Sequence, residues 1–436
     1  MKKAKFLIYA ALAASTVAIS SCSDNDVLSE PANEPEGKAL IVNPTVLDSR
    51  VTPLAKSDFT GFKLYGVQNP NISNQSVGSF IKTGTTNGVD YSGTFGETAA
   101  DVAFTSTTAV KWPTKYPDNS ANFYAFSVQG GSDLTGSGIT VNEDEYGTLD
   151  GTFSYTAPVD GDGNVDLSAQ KDIMIASSIE AKQTDNGGVV TLPFKHAFAK
   201  LTFQIRWNAN EWIDNANTAV EGTITPYARL FVKSIKFHNI KCSGTYSFTE
   251  NNGNGKWTVN GDNSTITYEF ETPQQFTATD VEATAANPFE VQDLLNGANT
   301  IMIVPQTIQT FGDVSENLDG GVFTNNSTGA YIELVLFSYG TAQDVDAHEE
   351  GLEQYYNTVD FITDQAVPST AKFVQGFGEL TKSNEMVYES VYIPIKGATS
   401  SFEFKENKSY NFRLNLATCF DDYGSKRLGT VEFNNN

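Results

Sequence analysis

The sequence predicts an all-β protein built from antiparallel β-sandwiches, and three features of the 436-residue chain point to it. Apolar residues alternate with polar ones along many short segments, which is the pattern of half-buried strands. In the segment 200–207, one face carries the apolar residues Leu201, Phe203, Ile205 and Trp207. Helical periodicity is scarce, and clusters of Gly, Asn and Asp separate the alternating segments, at 160–164, 185–188 and 251–255. Many short strands joined by such turns are typical of sandwiches.

The first residues have the form of a secretory signal. Three lysines precede an apolar run at 6–19, which is shorter than the roughly 20 residues that span a bilayer. The run closes with Ile19-Ser20-Ser21-Cys22, which resembles a lipobox, the site where bacteria attach diacylglycerol to cysteine. We therefore expect residues 1–21 to be a lipoprotein signal peptide and Cys22 to carry lipid. The alternative is an ordinary cleaved leader followed by a coincidental cysteine.

Residues 22–37 are expected to form an acidic tether, because they contain acids and two prolines but no apolar periodicity. Beyond the tether we predict an N-terminal sandwich at 38–186 and a C-terminal sandwich at 187–436. The boundary lies at the turn cluster 185–188, whose Gly and Asn residues are typical of a connection. A split into two domains is the ordinary expectation at this length.

Further alternating strands and one helix are predicted toward the C-terminus. The alternating apolar residues are Ile266, Tyr268 and Phe270; Ile332, Leu334 and Leu336; Val387, Val391, Ile393 and Ile395; and Phe412, Leu414 and Leu416. Spacings of i, i+3, i+4 and i+7 predict one short helix packed on a sheet, formed by Leu352, Tyr355, Tyr356 and Val359.

The composition limits the partners and the chemistry. Asp and Glu number 52 against 28 Lys and Arg, a formal net charge of −24, and such a surface repels nucleic acid and anionic headgroups. We therefore expect no nucleic-acid partner. If Cys22 carries lipid, Cys242 and Cys419 are either a disulfide pair or two buried thiols.

No catalytic motif is present. The three histidines, His196, His238 and His348, lack metal-ligand spacing, and the chain has no GxSxG, P-loop or dinucleotide fingerprint. We therefore predict a non-enzymatic protein without a cofactor. A hydrolase built on two carboxylates stays open, because such pairs are distant in sequence.

Two weaker patterns, a calcium-loop-like segment and a set of tryptophans, are each explained either by ordinary structure or by ligand binding. Oxygen ligands alternate as in calcium loops at Asp160, Asp162, Asn164 and Asp166. Glycine stands at the fourth place of this loop rather than the sixth, and Lys171 replaces the bidentate Glu, so a plain turn is favoured and no metal is expected. A sugar-stacking platform, and with it a lipid-anchored glycan-binding protein, is open through the four tryptophans Trp112, Trp207, Trp212 and Trp257.

Arg50 is the only arginine among the first 205 residues. It follows the segment 38–49, which reads as a strand broken by Pro44, a residue tolerated at a sheet edge or bulge. An arginine between strand and loop is an accessible target for an arginine-specific protease. A solvated charge at the end of a strand explains it equally well.

Several segments, taken in order, resemble the fimbrillin family, the lipoprotein-derived subunits of type V pili. The lipobox at Cys22 comes first, and 38–50 resembles the first strand of the family, which ends in arginine. The run 192–203 resembles the pattern L-x-F-x-H-A-L-A-K-L-x-F of fimbrillin-like proteins. Shorter resemblances lie at 62–65, 112–113 with 122–126, 172–176, 303–306 and 410–414.

This resemblance implies two transthyretin-like antiparallel β-sandwich domains in tandem, with few short helices. It also implies a surface pilus subunit that is held by its lipid in the outer membrane and trimmed between Arg50 and Val51. The strand lost with the trimmed segment would contain Leu40, Val42, Val46 and Leu47. A strand from another copy or a related subunit would fill the groove, and the donor residues would be Phe412, Leu414 and Leu416, or Val431 and Phe433.

The implied partners are therefore other pilus subunits, an arginine-specific protease, and a receptor on a host or bacterial surface that would give the pilus an adhesive role. Some members of the family keep their lipid and act as anchors, and others are tip or accessory proteins. This chain fits either role on its sequence.

Overall fold

The structure is a computed structural model. It describes residues 38–46, 58–68, 79–81, 88–95, 103–106, 108–112, 120–143, 149–161, 165–206, 229–251, 253–277, 292–295, 301–310, 318–319, 322–323, 329–342, 372–375, 379–380, 386–395, 401–415 and 430–435.

These residues form 28 strands. The strands of the first half are β1 (Ile41–Val46), β2 (Gly61–Gln68), β3 (Ser79–Ile81), β4 (Val89–Thr94), β5 (Ala103–Ser106), β6 (Ala121–Val128), β7 (Ile139–Glu143), β8 (Leu149–Thr156), β9 (Ile173–Ala181), β10 (Val189–His196), β11 (Ala199–Arg206), β12 (Arg229–Ile240), β13 (Ser243–Ser247) and β14 (Lys256–Asn260). Those of the second half are β15 (Ser264–Thr277), β16 (Gln292–Asp293), β17 (Ile301–Ile303), β18 (Gln306–Gln309), β19 (Leu318–Asp319), β20 (Val322–Phe323), β21 (Tyr331–Ala342), β22 (Lys372–Gln375), β23 (Glu379–Leu380), β24 (Met386–Val387), β25 (Glu389–Pro394), β26 (Ser401–Phe404), β27 (Lys408–Asn415) and β28 (Thr430–Asn435).

The prediction of an all-β fold of sandwich type is confirmed. A 3-10 turn lies at Asp185–Gly188, where Asn186 and Gly187 have positive φ angles of 47° and 69°. Asn and Gly tolerate positive φ angles better than other residues do. The turn predicted from the cluster at 185–188 is therefore present. The predicted helix at 352–359 lies outside the described residues. No helix in the described part of the chain is long and apolar enough to span a membrane.

An eight-stranded sheet contains β1, the first strand that the structure describes. Its order is β1-β10-β9-β6-β2-β4-β5, and β3 pairs with β2. The central strands β2 and β6 are buried almost throughout, because both faces of the sheet are covered. One face carries the first core, a cluster that includes Phe59, Phe62 and Phe194, whose rings lie 4.9–6.3 Å apart.

The opposite face of this sheet packs on a four-stranded sheet ordered β14-β13-β8-β7. Phe126 meets Phe153 with ring centroids 5.2 Å apart, and Phe153 meets Trp257 at 5.3 Å. The pairing of β8 with β13 joins chain segments about 90 residues apart, with Thr245 opposite Ser154. The domain boundary at 186/187 stays a prediction, and strand pairing continues across that point of the sequence because β10 also pairs with β9.

Strands β10 and β11 form one long ribbon, which we call the 189–206 ribbon. Only Ala197 and Phe198 separate them, yet β10 belongs to the eight-stranded sheet and β11 to a sheet ordered β16-β11-β27-β28, with β17 also on β11. A further sheet, β15-β12-β21-β22 with β25 on β21, packs in the same large core, where Phe237 of β12 meets Phe412 of β27.

Two of the sheets contain a parallel strand pair, whereas the sequence predicted antiparallel sandwiches. The pairs β1–β10 and β11–β27 run parallel. In both pairs more than 140 residues separate the two strands. A tight hairpin forces an antiparallel pair, whereas a long connection allows a parallel one.

Candidate functional site

The segment 38–46 lies along β10 as an extended edge strand. It pairs in parallel register from Ile41 opposite Val189 to Val46 opposite Phe194. Burial alternates along it, since Leu40 and Pro44 are buried and Val42 and Val46 half-buried, whereas Ile41 is 51% exposed. The even-numbered side chains therefore face the protein, as the period of a strand requires.

The inward side chains of this segment complete the first core. Leu40 belongs to the same buried cluster as Val190, Leu192 and Phe194 of β10, and Val42 and Val46 pack against that cluster. Since β1 stands at the end of its sheet, it covers apolar side chains of β10 that would otherwise face water.

The start of the segment has a second backbone partner, residues 110–112. The backbone N–H of Leu40 donates to the carbonyl of Val110 at 2.9 Å, and the N–H of Trp112 donates to the carbonyl of Lys38 at 2.9 Å. Ala39 and Lys111 form an antiparallel bridge between these bonds. We call residues 110–112 the 110–112 seat.

Pro44 lies at a position where the lack of an N–H does no harm. Backbone groups of successive strand residues point to opposite edges, so Pro44 shares the edge that Lys38 and Leu40 turn toward the 110–112 seat. That edge faces away from β10, and none of the described strands pairs with it beyond residue 40. A proline on an outer edge costs no ladder bond and discourages the addition of a further strand.

Trp112 fixes the 110–112 seat to the turn that precedes β10. Its indole N–H donates to the carbonyl of Gly188 at 3.1 Å, and its ring is 3% exposed and packs edge-on against Phe123. The ammonium of Lys38 donates to the neighbouring carbonyl of Gly187. Gly188 has φ +85°, a backbone conformation that favours glycine over residues with a Cβ.

The structure brings together three of the four residues predicted for a removable strand. Leu40, Val42 and Val46 share the inward face. Leu47, Arg50, Val51 and Cys22 lie outside the described residues, so the lipidation and cleavage sites stay predictions.

The two sets of candidate donor residues occupy different positions. Phe412 and Leu414 are fully buried in β27, which lies between β11 and β28. Val431 and Phe433 belong to β28, the terminal strand of that sheet, where they stand opposite Leu414 and Phe412. Leu416 lies outside the described residues.

The calcium-like segment is described only in part. Asp166 accepts hydrogen bonds from the hydroxyl of Ser168 at 2.6 Å and from its backbone N–H at 2.9 Å, and these bonds lower the pKa of Asp166. Asp160 is exposed, while Asp162 and Asn164 lie outside the described residues. Within the described ranges no group of three or more His, Cys, Asp or Glu is placed to hold a metal ion.

The tryptophans that the structure describes do not form a surface platform. Trp112 and Trp257 are buried, and the indole of Trp257 donates to the carbonyl of Ala197 at 2.9 Å. Trp207 and Trp212 lie outside the described residues. Cys242 is half-buried, and burial raises the pKa of its thiol, while Cys419 also lies outside.

Sequence reasoning missed the 110–112 seat and its link to Gly188. Trp112 appeared in a family-like motif, and 185–188 appeared as a turn. Nothing local joins them, because the indole and the carbonyl it reaches are 76 residues apart.

A family model described as fimbrillin-like matches residues 67–432, and no curated protein matches the chain. Among solved structures, the chain is similar to a fimbrial protein from Bacteroides vulgatus, at 12% identity and a TM-score of 0.48, with 92% of this chain and 99% of that one covered. It is similar to the fimbrial anchor protein Mfa2 from Porphyromonas gingivalis, at 10% identity and a TM-score of 0.33, with 91% and 97% covered. It is also similar to the tip fimbrial protein Mfa3 from the same species, at 9% identity and a TM-score of 0.28, with 87% and 95% covered.

Proposed function

This chain belongs to the fimbrillin-like family, and we propose that it is a subunit of a surface pilus that assembles by exchange of β-strands. In this proposal it is exported as a lipoprotein on Cys22, trimmed after Arg50, and polymerised when a strand of another subunit replaces β1. The family is described as fimbrillin-like, which supports a structural role rather than an enzymatic one.

The position of β1 is the observation that carries the proposal. It is a terminal strand of its sheet, it is paired with β10, and its inward side chains complete the first core. Removing it would expose unpaired backbone on β10 and apolar area around Leu192 and Phe194. A strand from a second molecule restores both, which is the physics of strand addition.

The magnitudes favour replacement over an empty groove. Burial of one Val or Leu side chain contributes about 1.5–3 kcal/mol. The inward face of the segment offers Leu40, Val42, Pro44 and Val46, two of them only half-buried, so a fitting strand gains roughly 5 kcal/mol before the ordering cost. The edge position of Pro44 supports replacement of β1 rather than addition beside it.

Of the two candidate donors, β28 is the better supported. Withdrawing β27 would remove the fully buried Phe412 and Leu414 from between β11 and β28. β28 stands at the end of its sheet, beyond β27, so its release disturbs one strand pair. Val431 and Phe433 alternate along it, as a strand that fills pockets on one face requires.

The N-terminus of the protein taken from the cell surface tests the proposal. A polymerising subunit should begin at Val51 and give a ladder of polymers on gels, and an Arg50→Ala variant should give neither. A chain whose only mature end is a lipid-modified Cys22 would instead be a pilus anchor. A chain that begins at Val51 but never polymerises with related subunits would contradict strand exchange.

A further inference from the structure

The second half of the 189–206 ribbon is joined to β27 along its whole length. Every residue of β11 stands opposite a residue of β27, from Ala199 opposite Lys408 to Arg206 opposite Asn415. The two strands run parallel, and the backbone bonds of a parallel pair are evenly spaced along it. The N-terminal ends of β11 and β27 therefore lie together at one end of the pair, and both C-terminal ends lie at the other.

In the proposed pilus, tension enters the subunit at β10 and leaves it at the C-terminal end of β27. An incoming strand lies in the place of β1 and pulls on β10, which continues through Ala197 and Phe198 into the N-terminal end of β11. The donor strand β28 follows β27 in the chain, so the next subunit pulls on the C-terminal end of β27. Tension therefore acts at opposite ends of the β11–β27 pair.

Parallel pairing turns this tension into shear. Two strands that are pulled at opposite ends must slide past each other, and all eight residue pairs resist at once. An antiparallel pair with the same connections would have both pulled ends side by side, and its bonds would break one after another. The parallel direction of this pair, where the sequence predicted antiparallel strands, is thus the direction that resists tension.

The turn that precedes β27 is fixed to the ribbon by side chains as well as by backbone. This turn, residues 405–407, connects β26 to β27, and we call it the 405–407 clasp. The Lys195 ammonium lies 2.6 Å from a carboxylate oxygen of Glu406, and the two side chains are only 20% and 25% exposed. The backbone N–H of Asn407 donates to the carbonyl of Phe198 at 3.1 Å. A slide of β27 toward its C-terminal end must break these contacts too.

We propose that β11, β27 and the 405–407 clasp form a shear clamp that carries tension through the subunit. This inference rests on the strand exchange proposed above and gives the sheet of β11 a mechanical function. Because the clamp lies between β11 and β27, it stays intact when β28 leaves for another subunit. A β28 strand that replaces β1 in the same direction is also loaded in shear, because β28 is tethered at its N-terminal end and β10 continues from its C-terminal end.

Single-molecule force spectroscopy on the full chain tests the clamp. The native cysteines are replaced, and pairs of new cysteines carry the handles through which force is applied. Thr191→Cys with Asn415→Cys pulls the β11–β27 pair from opposite ends, whereas Arg206→Cys with Asn415→Cys pulls it from one end. At a given force we expect the first chain to unfold at least roughly tenfold more slowly, because several backbone bonds must be lost together. Equal rates in the two chains would overturn the shear clamp.

The ion pair of the clasp is tested by Lys195→Met. In the chain pulled from opposite ends, this variant should raise the unfolding rate roughly tenfold, since a bond between charged groups is lost. In the chain pulled from one end, the rate should change less than about twofold, because the clasp lies at the far end of the pair and breaks last. An equal rise in both chains would show a general loss of stability and contradict the clasp.

Lys63→Met is the matched control for the loss of an ion pair. Lys63 lies 2.6 Å from Asp90 and its side chain is 20% exposed, as that of Lys195 is. It belongs to β2, which lies outside the path of tension. In the chain pulled from opposite ends, Lys63→Met should change the unfolding rate less than about twofold. A rise as large as that of Lys195→Met would contradict the proposed path.

Failure of the clamp and failure of the proposed function are distinguishable. The force measurements use single molecules and do not depend on polymers, whereas the ladder of polymers on gels reports strand exchange. A chain that polymerises but unfolds at the same rate in both pulling geometries would overturn the clamp alone. A chain that shows the expected dependence on geometry but never polymerises would contradict strand exchange, and with it the role of the clamp in a pilus.

Discussion

The 189–206 ribbon carries two parallel neighbours that are held very differently. Along its first half lies β1, an edge strand with two half-buried inward residues and Ile41 exposed. Along its second half lies β27, which is enclosed by β11 and β28 and carries the fully buried Phe412 and Leu414. Both strands run parallel to the ribbon, but β27 is a central part of the core and β1 is an edge strand, as the proposed removal requires.

In the proposed strand exchange, sheet position rather than apolar alternation would therefore decide which strand is replaced. Both strands alternate in sequence, and both complete a core. Local opening free energies are lowest where few apolar contacts and one strand partner hold a segment. β1 meets those conditions and β27 does not.

The largest expected effect is in β27. Phe412→Ala should lower the free energy of unfolding by about 3–5 kcal/mol, because the ring is fully buried and lies 5.2 Å from Phe203 and 6.0 Å from Phe237. Denaturant unfolding measures this loss. Phe402→Ala is the matched control, since Phe402 is only half-buried and should cost clearly less. Equal costs would mean that burial does not separate the two positions.

Acid should destabilise the sheet that contains β12 and β21, through the carboxylate of Glu333, rather than the pairing of β1. Burial alone would raise the pKa of Glu333, but hydrogen bonds from His238 and Ser390 and the charge of Lys236 lower it to about 2. The carboxylate lies 2.8 Å from the His238 ring nitrogen and its side chain is 10% exposed. A folded-state pKa below the ordinary value stabilises the protein above pH 4.5, and this stability is lost as the pH falls toward 2.

The expected loss is on the order of 3 kcal/mol, measured as denaturation midpoints between pH 5 and pH 2.5. Glu333→Gln should remove this part of the pH dependence. Glu269→Gln should leave it intact, because the Glu269–Lys233 pair is exposed and 3.6 Å apart and such pairs contribute little. Identical pH profiles for wild type and Glu333→Gln would refute the assignment.

Substitutions on the two faces of β1 should differ in their cost to the free energy of unfolding, but by less than substitutions in β27 and β1 do. Leu40→Ala removes a buried side chain from the first core and should cost about 2 kcal/mol. Ile41→Ala should cost less than about 0.5 kcal/mol, because Ile41 is 51% exposed. The unfolding free energy and the rate of proteolysis at Arg50 measure both. Faster cleavage in the Ile41→Ala chain than in the Leu40→Ala chain would contradict the observed facing.

Much of β1 could be predicted from the sequence. The apolar residues at 40, 42 and 46 and the proline between them indicated an edge strand, and the resemblance to the family supplied the idea of removal. Its parallel pairing with β10 could not be predicted, because its partner begins more than 140 residues later. Register at that range depends on contacts that no local pattern encodes.

The donor candidates show the same limit. Alternation identified Phe412 and Leu414 as strand residues, which they are. Alternating apolar residues indicate which face of a strand is buried, however, and carry no information on how many strands flank it. The central place of β27 and the outer place of β28 therefore emerged only with the sheet order.

A modest effect on stability is also expected at Pro44, where the place of the residue on the sheet edge matters for association with other molecules. Pro44→Ala should lower the unfolding free energy by about 1 kcal/mol, because it shortens a buried side chain and also frees the unfolded chain. It restores a backbone N–H on the outer edge of β1, and an unblocked edge invites pairing with another molecule. Sedimentation velocity should therefore detect dimers of the Pro44→Ala chain at concentrations where the wild type is monomeric. Asn43→Ala alters the same strand without adding an outer N–H, so association in that control would show that the proline is not what protects the edge.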